Sequence, residues 1–414
     1  MNAELFIARR LHFDESDGRR MSRPAVRVAT AGIAVGLAVM LIAVAVVVGF
    51  KREVSGQIVG FGSHIQVAAY QTGSDYEATP IAPSDSLLQT LAAIPHVERV
   101  QRVATKPGIV KTDDDFEGIV LKGVDSSFDW RFFDNHLVAG ALPVVGDSTA
   151  TNDALISRHT ANLLRLSVGD RFTAYFVGEP VRARRFTVCG IYETAFADFD
   201  RLYVLTDLRH VQRLNGWNSA QIGQLELLID DFGAIDEVER EVFFATATAT
   251  LHDQTLLQTR SIKKIVPRMF EWLDMLDVNA WVILALMLAV AGFNMISGLL
   301  IIILERTSTI GLLKAMGARN RTIRKIFVCQ AAFLIGKGMF WGNVVGCAIV
   351  LIEQLTHAIP LDPAMYYVNY VPVALSVEHW LLINIGTFAL TLLMLIAPSH
   401  IIAYIQPSQA IKFD

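Results

Sequence analysis

From residue 28 to residue 50 the chain runs 23 positions without a single Asp, Glu, Lys, Arg or His. Coiled as an α-helix such a segment is ~35 Å long, and the hydrocarbon core of a bilayer is ~30 Å thick, so it is long enough to span one. Three more stretches share the property. Residues 278–304 are a charge-free run of 27, residues 326–352 are interrupted only by Lys337, and an apolar run beginning at Trp380 closes at Pro398. A backbone in lipid must satisfy its own hydrogen bonds, so runs of this length are read as helices. A cleaved signal peptide fits the first run poorly, because its apolar core is usually only ~7–15 residues and is followed by small residues, not by Lys51-Arg52. The composition agrees: 53% of the 414 residues are apolar, and only 18% are charged against the ~25% usual for soluble domains.

The loops orient these spans. Arg9, Arg10, Arg19, Arg20, Arg23 and Arg27 precede the first, and Arg306, Lys314, Arg319, Arg321, Arg324 and Lys325 lie between the second and third. Residues 353–379 carry no Lys or Arg but hold Glu353, Asp362 and Glu378. By the positive-inside rule both termini are cytoplasmic. The expected order is a cytoplasmic segment 1–27, a span 28–50, an outside domain 51–277, and spans 278–304 and 326–352 flanking a cytoplasmic segment 305–325. An outside loop 353–379, a fourth span 380–404 and a tail 405–414 complete it. The fold class expected is an α-helical membrane protein with four transmembrane helices and a large α+β extracytoplasmic domain between the first two.

That outside domain holds 22 basic and 31 acidic residues, a net of −9, and one cysteine, Cys189, read as a buried thiol. Strands are expected at 64–70, 97–111, 117–124 and 224–229, with a hairpin formed by 170–178 and 181–192. Helices are expected at 84–94, capped by Ser84 or Asp85, and at 207–215 and 236–244. A second lobe is expected within 130–217. Residues 259–276 place Ile262, Ile265, Val266, Met269, Leu273 and Leu276 at helical spacing, which reads as an amphipathic helix leading into the second span, with Pro267 as a kink.

Catalytic constellations are missing. Gly336-Lys337-Gly338 lacks the hydroxyl and upstream glycine of a nucleotide-binding loop, and it lies inside an apolar run. No two histidines stand four apart as a zinc-protease helix requires, no Gly-x-Ser-x-Gly elbow occurs, and Asp113-Asp114-Asp115 reads as a solvated turn. The chain is therefore read as non-catalytic, with no cofactor or metal of its own.

The spans say more. Gly32 and Gly36 in the first, and Gly338, Gly342 and Gly346 in the third, form small-residue stripes that let helices approach closely. Lys337 is either a functional charge or one that snorkels or rests against a polar neighbour such as Asn343. In the segment 305–325, residues 309–316 read as a short helix with Gly317 as its left-handed end. Its surface, with Leu312, Leu313, Lys314 and Met316, has the character of a docking face.

These segments, in this order, resemble the FtsX/MacB-type ABC transporter permeases, and within them the lipoprotein-releasing LolC/LolE branch. Leu5-Phe6-Ile7-Ala8-Arg9-Arg10 is similar to the family's interfacial opening helix, and Val48-Gly49-Phe50-Lys51-Arg52-Glu53 to the exit from its first span. Phe293-Asn294-Met295-Ile296-Ser297 resembles a motif of its second span. Glu305-Arg306 followed by Ile310-Gly311-Leu312-Leu313-Lys314-Ala315-Met316-Gly317-Ala318 is similar to its coupling-helix signature, and Pro398-Ser399 with Gln406-Pro407-Ser408-Gln409-Ala410-Ile411 to its closing tail.

The resemblance implies a permease in a bacterial inner membrane that pairs with a second permease subunit, alike or different. Two copies of a separate ABC ATPase, which bind ATP and Mg, engage the coupling helices and drive the outside domains. It places the ATPase-coupling role on Glu305, Arg306, Ile310, Gly311, Leu312, Leu313, Lys314, Met316 and Gly317. Acyl-chain contact falls on Met40, Val44, Val47, Phe50, Leu284, Leu288 and Phe293, where lipid contact or bundle packing is the competing reading. The implied substrate is a lipoprotein handed to a periplasmic chaperone. The hairpin around 175–182 is short for the chaperone-binding hook of that branch, so docking by this chain stays open. A regulator of cell-wall hydrolases and a mechanically driven exporter of another amphiphile are the alternatives. A membrane-anchored hydrolase has no visible active site.

Overall fold

The computed structural model describes residues 22–70, 79–112, 115–146, 150–176, 181–248 and 256–399. The opening motif at 5–10, Asp113 and Asp114, the hairpin tip at 177–180 and the tail from 400 onward lie outside the described residues. The chain divides into two compact units. One holds the residues up to Arg52, Trp272–Pro360 and those from Tyr370 onward; the other holds Glu53–Glu271 and Leu361–Asn369.

Among the described residues the first unit is built on four helices long and apolar enough to cross a membrane, belonging to helices Ser22–Gly62, Pro267–Glu305, Asn320–Thr356 and Val377–Met394. Three of them overrun the apolar spans of the sequence. Charge ends a membrane span but not a helix: the first continues through Lys51 and Arg52 until Ser63 turns left-handed at φ 60°. The second begins at Pro267, which is the first residue of the helix and not a kink within it. A proline costs nothing there, since the first turn leaves its N–H groups unpaired anyway. The fourth stops at Met394, short of 404, and a separate turn Ile396–Ser399 follows.

The glycine stripes explain how these helices meet. An added Cβ at Gly338 would lie 2.9 Å from Ile33 Cβ, at Gly342 2.8 Å from the Ala34 carbonyl oxygen, and at Gly346 3.1 Å from Ala38 Cα. The third helix is thus a groove seating residues 30–41 of the first. At Gly32 the same test meets Asn294 of the second helix at 2.5 Å, and at Gly36 it meets Ala291 Cβ at 3.6 Å. The third and fourth helices are joined by side-chain amides. Asn343 Nδ2 donates to Asn384 Oδ1 (2.7 Å), while Trp380 Nε1 donates to Asn343 Oδ1 (2.7 Å). Such bonds between apolar helices stabilise by ~0.6–2 kcal/mol each. Near the C-terminal end of the first apolar run, Lys51 donates to Asp277 (2.6 Å) and Asp274 (3.3 Å), tying the first helix to the second.

The second unit is an α+β fold on one ten-stranded sheet: β1 (Ile65–Ala69), β2 (Val97–Lys111), β3 (Phe116–Val124), β4 (Leu137–Gly140), β5 (Asp153–Ser157), β6 (Arg171–Phe176), β7 (Arg182–Tyr192), β8 (Tyr203–Asp207), β9 (Gln224–Ile229) and β10 (Leu257–Ser261). The order is β10-β1-β9-β2-β3-β8-β5-β7-β4, and β6 pairs with both β2 and β7. Because β6 joins β2 at Ile109–Lys111 and β7 along its whole length, strands β2-β3-β8-β5-β7-β6 close into a ring. Its members carry buried Val110, Leu155, Phe172, Phe176 and Phe186. The strands of residues 130–217, where a second lobe is expected, join the sheet through β2 and β3.

Local signals set several helices. Ser84 Oγ accepts from Leu87 N–H (3.2 Å) to start Asp85–Ala92, and Asp207 caps Leu208–Asn215, which ends at left-handed Gly216 (φ 72°). The helix Ile235–Thr248 packs on β10. Here the amphipathic helix expected at 259–276 is corrected. Residues 257–261 form edge strand β10 against β1, a single turn Ile262–Ile265 follows, and Val266 breaks it (φ −123°, ψ 61°) before the long helix starts. Helical spacing was present in the side chains, but pairing with β1 overrode it for the first residues.

Candidate functional site: the loop helix after the second span

The second helix ends at Glu305, and Arg306 leaves helical geometry (φ −97°, ψ 20°). Thr307–Ala315 then forms a short helix, starting two residues earlier than the sequence suggests. Its end is fully bonded: Gly317 N–H donates to the Lys314 carbonyl and Ala318 N–H to the Leu313 carbonyl, both at 3.0 Å. This paired pattern needs a left-handed residue after the last turn, and Gly317 supplies it at φ 89°. Arg319 then precedes the third helix, which begins at Asn320.

One side of the short helix is anchored. Ile310 is completely buried with Ile302, Ile303, Ile323 and Phe327, and Leu313 and Ala318 pack against the same cluster. Gly311 is buried as well. The opposite side is open: Leu312 is 56% exposed and Met316 76% exposed, and Glu305 is exposed too. Arg306 and Lys314 are half-buried, and burial lowers the Lys314 ammonium below its ordinary value. Leu313, half-buried and three residues from Ile310 on the same face, serves as an anchor in this structure. What remains is an apolar pair, Leu312 and Met316, on a helix whose position is fixed from behind.

The residues expected to contact acyl chains do not form one surface. Met40 and Val44 are 3% and 8% exposed and fall on the buried stripe of Leu37 and Leu41, so both are corrected to bundle packing. Val47, Phe50, Leu284 and Leu288 are half-buried; Leu284 packs on the Leu37–Met40–Leu41 cluster, and Phe50 meets Trp272 edge-on at 6.4 Å. Phe293 is 70% exposed. Lys337 is exposed on the third helix, and Asn343, one of the neighbours considered for it, is engaged by Asn384 and Trp380. Among the described residues no group of His, Cys, Asp and Glu is placed to hold a metal.

Sequence reasoning missed the polar joint of Asn343, Asn384 and Trp380, although two asparagines inside apolar runs are a signal for one. It also missed Lys122 of β3 paired with Glu226 of β9, for which a strand pattern carries no sign.

Comparison with known proteins agrees with this architecture. The family model of the MacB-like periplasmic core domain matches residues 28–242, more than half the chain, and that of the FtsX-like permease C-terminal region matches 281–407. The class is that of membrane permeases with an elaborated domain after the first apolar helix. The chain belongs to the FtsX/MacB-type family of ABC transporter permeases. It is similar to the lipoprotein-releasing system transmembrane protein LolC of Neisseria meningitidis serogroup B, 23% identical over 413 residues and 94% of each chain. It is also similar to the corresponding LolE of Haemophilus influenzae, 22% identical over 407 residues and 92% of each. The pyoverdine export ATP-binding/permease protein PvdT of Pseudomonas fluorescens is 24% identical over 341 residues, 77% of this chain and 48% of that one.

Proposed function

We propose that the chain is the permease subunit of an inner-membrane ABC transporter that releases lipoproteins toward the outer membrane. The observation that carries the reading is the loop helix Thr307–Ala315, anchored through Ile310 and Leu313 and exposing Leu312 and Met316. A lever of this kind accepts force from a partner without bending. The partner is a separate ABC ATPase in two copies, which holds the ATP and Mg; a second permease subunit, alike or different, completes the complex. Both termini and the loop helix are cytoplasmic and the α+β unit is periplasmic, a placement that the arginine-rich segments support. The likeness to LolC and LolE along nearly the whole chain supports lipoprotein as the substrate. Its acyl chains meet Val47, Phe50, Leu284, Leu288 and Phe293, and a periplasmic chaperone receives it.

The likeness to PvdT favours a second reading, export of another amphiphile by the same mechanics. Depleting the protein and quantifying acylated lipoproteins in inner and outer membranes separates the two. Accumulation in the inner membrane, reproduced by Leu312→Asp or Met316→Asp, supports lipoprotein release. Normal distribution sinks it and moves the exporter forward. A cell-chaining phenotype with normal distribution points instead to regulation of cell-wall hydrolases.

A further inference from the structure

The first helix does not fray where it ends. Its Phe61 carbonyl, in the last turn, accepts from Lys122 Nζ at 2.6 Å, and Lys122 also donates to Glu226 Oε2 at 2.8 Å. Ser63 Oγ donates to the same carboxylate oxygen (3.0 Å), and Gln224 Nε2 donates to Oε1 (2.8 Å). The two charged side chains are 3% and 2% exposed. The Phe61 ring is itself buried among the rings of Phe132, Phe133, Phe199 and Tyr203, at 5.2–5.8 Å. An ammonium at a helix C-terminus meets the negative end of the helix dipole, so the lysine closes both the helix and the ion pair.

A buried ion pair is a poor device for stability alone, because well-packed apolar replacements are often as good or better. It differs from apolar packing in being directional. Charge-assisted hydrogen bonds weaken steeply with distance and angle, whereas a greasy contact permits sliding and rotation. Lys122 and Glu226 come from β3 and β9, which flank β2 in the sheet. We infer that Lys122 and Glu226 are positioning residues for the proposed activity, fixing the end of the first helix to the central strands so that its displacement moves the sheet without slip. This rests on the reading of an ATP-driven mechanical permease.

The test uses the full chain with its ATPase partner. Lys122→Met and Glu226→Gln singly leave a buried charge unpaired and lower the melting temperature. The double variant K122M/E226Q restores melting and partner-stimulated ATP hydrolysis, yet lipoprotein delivered to the outer membrane per ATP hydrolysed falls severalfold. Recovery of delivery together with melting in the double variant overturns the inference and leaves the pair merely structural. A second measurement needs no variant. In the wild-type complex, hydrogen exchange at Ser63, whose N–H bonds to Val59, and at His64, whose N–H bonds to Leu227, is expected to stay equally slow at rest and during ATP turnover. Faster exchange during turnover means that the socket opens, and it overturns the inference. If the wild-type complex moves no lipoprotein, the functional reading fails while the exchange result still decides the socket.

Discussion

Exchanging glycine for alanine at two positions of the third helix measures the fit between the first and third helices directly. At Gly342 the new Cβ would lie 2.8 Å from the Ala34 carbonyl oxygen, 2.9 Å from Leu37 Cβ and 3.2 Å from Ala34 Cα. Carbon atoms in good contact sit ~3.5–4.0 Å apart, so the helices must separate by up to ~1 Å over that turn. Two of the three opposing atoms are backbone and cannot swing aside. Overpacking a fitted interface in this way costs ~1–3 kcal/mol. Gly336, six residues earlier on the same helix, is exposed and has no atom within 4 Å of an added Cβ. Alanine there gains only the ~0.8–1 kcal/mol of helix propensity, a gain that Gly342→Ala shares. The difference between the variants therefore isolates the clash, and Gly342→Ala is expected to be ~1–3 kcal/mol less stable than Gly336→Ala. The assay is equilibrium unfolding of the purified chain in mixed micelles, followed by tryptophan fluorescence. Equal stability of the two variants would refute the groove.

Other expectations follow from single contacts. Leu313→Asp places a charge in the Ile310 cluster and lowers the melting temperature, whereas Leu312→Asp and Met316→Asp leave melting unchanged and abolish co-purification with the ATPase. In the α+β unit, burial pushes the Asp200 carboxyl up to about 6 and pulls the His64 imidazole down to about 4. The raised Asp200 contributes stability fully present below its ordinary 3.8 and lost as pH rises through about 6; the lowered His64 contributes stability present above 6.5 and lost as pH falls toward 4. Each shift of roughly two units is worth ~3 kcal/mol, so the two nearly cancel between pH 4 and 6. Asp200→Asn is expected to make melting fall with acid, and His64→Asn to make it rise; two flat profiles would sink both assignments. Burial and the nearby Asp153 push the Cys189 thiol up to about 12, so maleimide is expected to label it at pH 8 only after denaturant is added.

The sequence made legible whatever is decided locally. Ser84 and Asp207 announce their helices because a capping oxygen acts on the next turn, and β2 and β9 fall on the expected residues because β2 is rich in β-branched residues and β9 is a short aliphatic run. Strands β4, β5 and β8 went unread. Each is four or five residues long, and two of them pair in parallel with strands far away in the chain, so their partners and not their own pattern make them strands. At the candidate site the short helix and its Gly317 end were readable, but not its sidedness. Leu312 and Leu313 are neighbours of equal hydropathy, and only the cluster around Ile310 determines which of them turns inward. Met40 and Val44 were misread for a related reason: an all-apolar helix has no polar face to mark which side its neighbours cover. Lys122 and Glu226 stand 104 residues apart, and nothing in either strand signals the other.

The closed ring of strands has a consequence for where this chain tolerates changes of length. Strand β6 is held on both edges at Thr173–Tyr175, by β2 and by β7. The buried Phe172 and Phe176 flank these doubly held residues, and the buried Phe186 of β7 stands opposite Phe172. Residues added to or removed from the tip would leave every rung of the ladder in place, and loop length itself is cheap in closure entropy. The segment between β6 and β7 is therefore a position where residues can be inserted or deleted while the ring of strands keeps the same register.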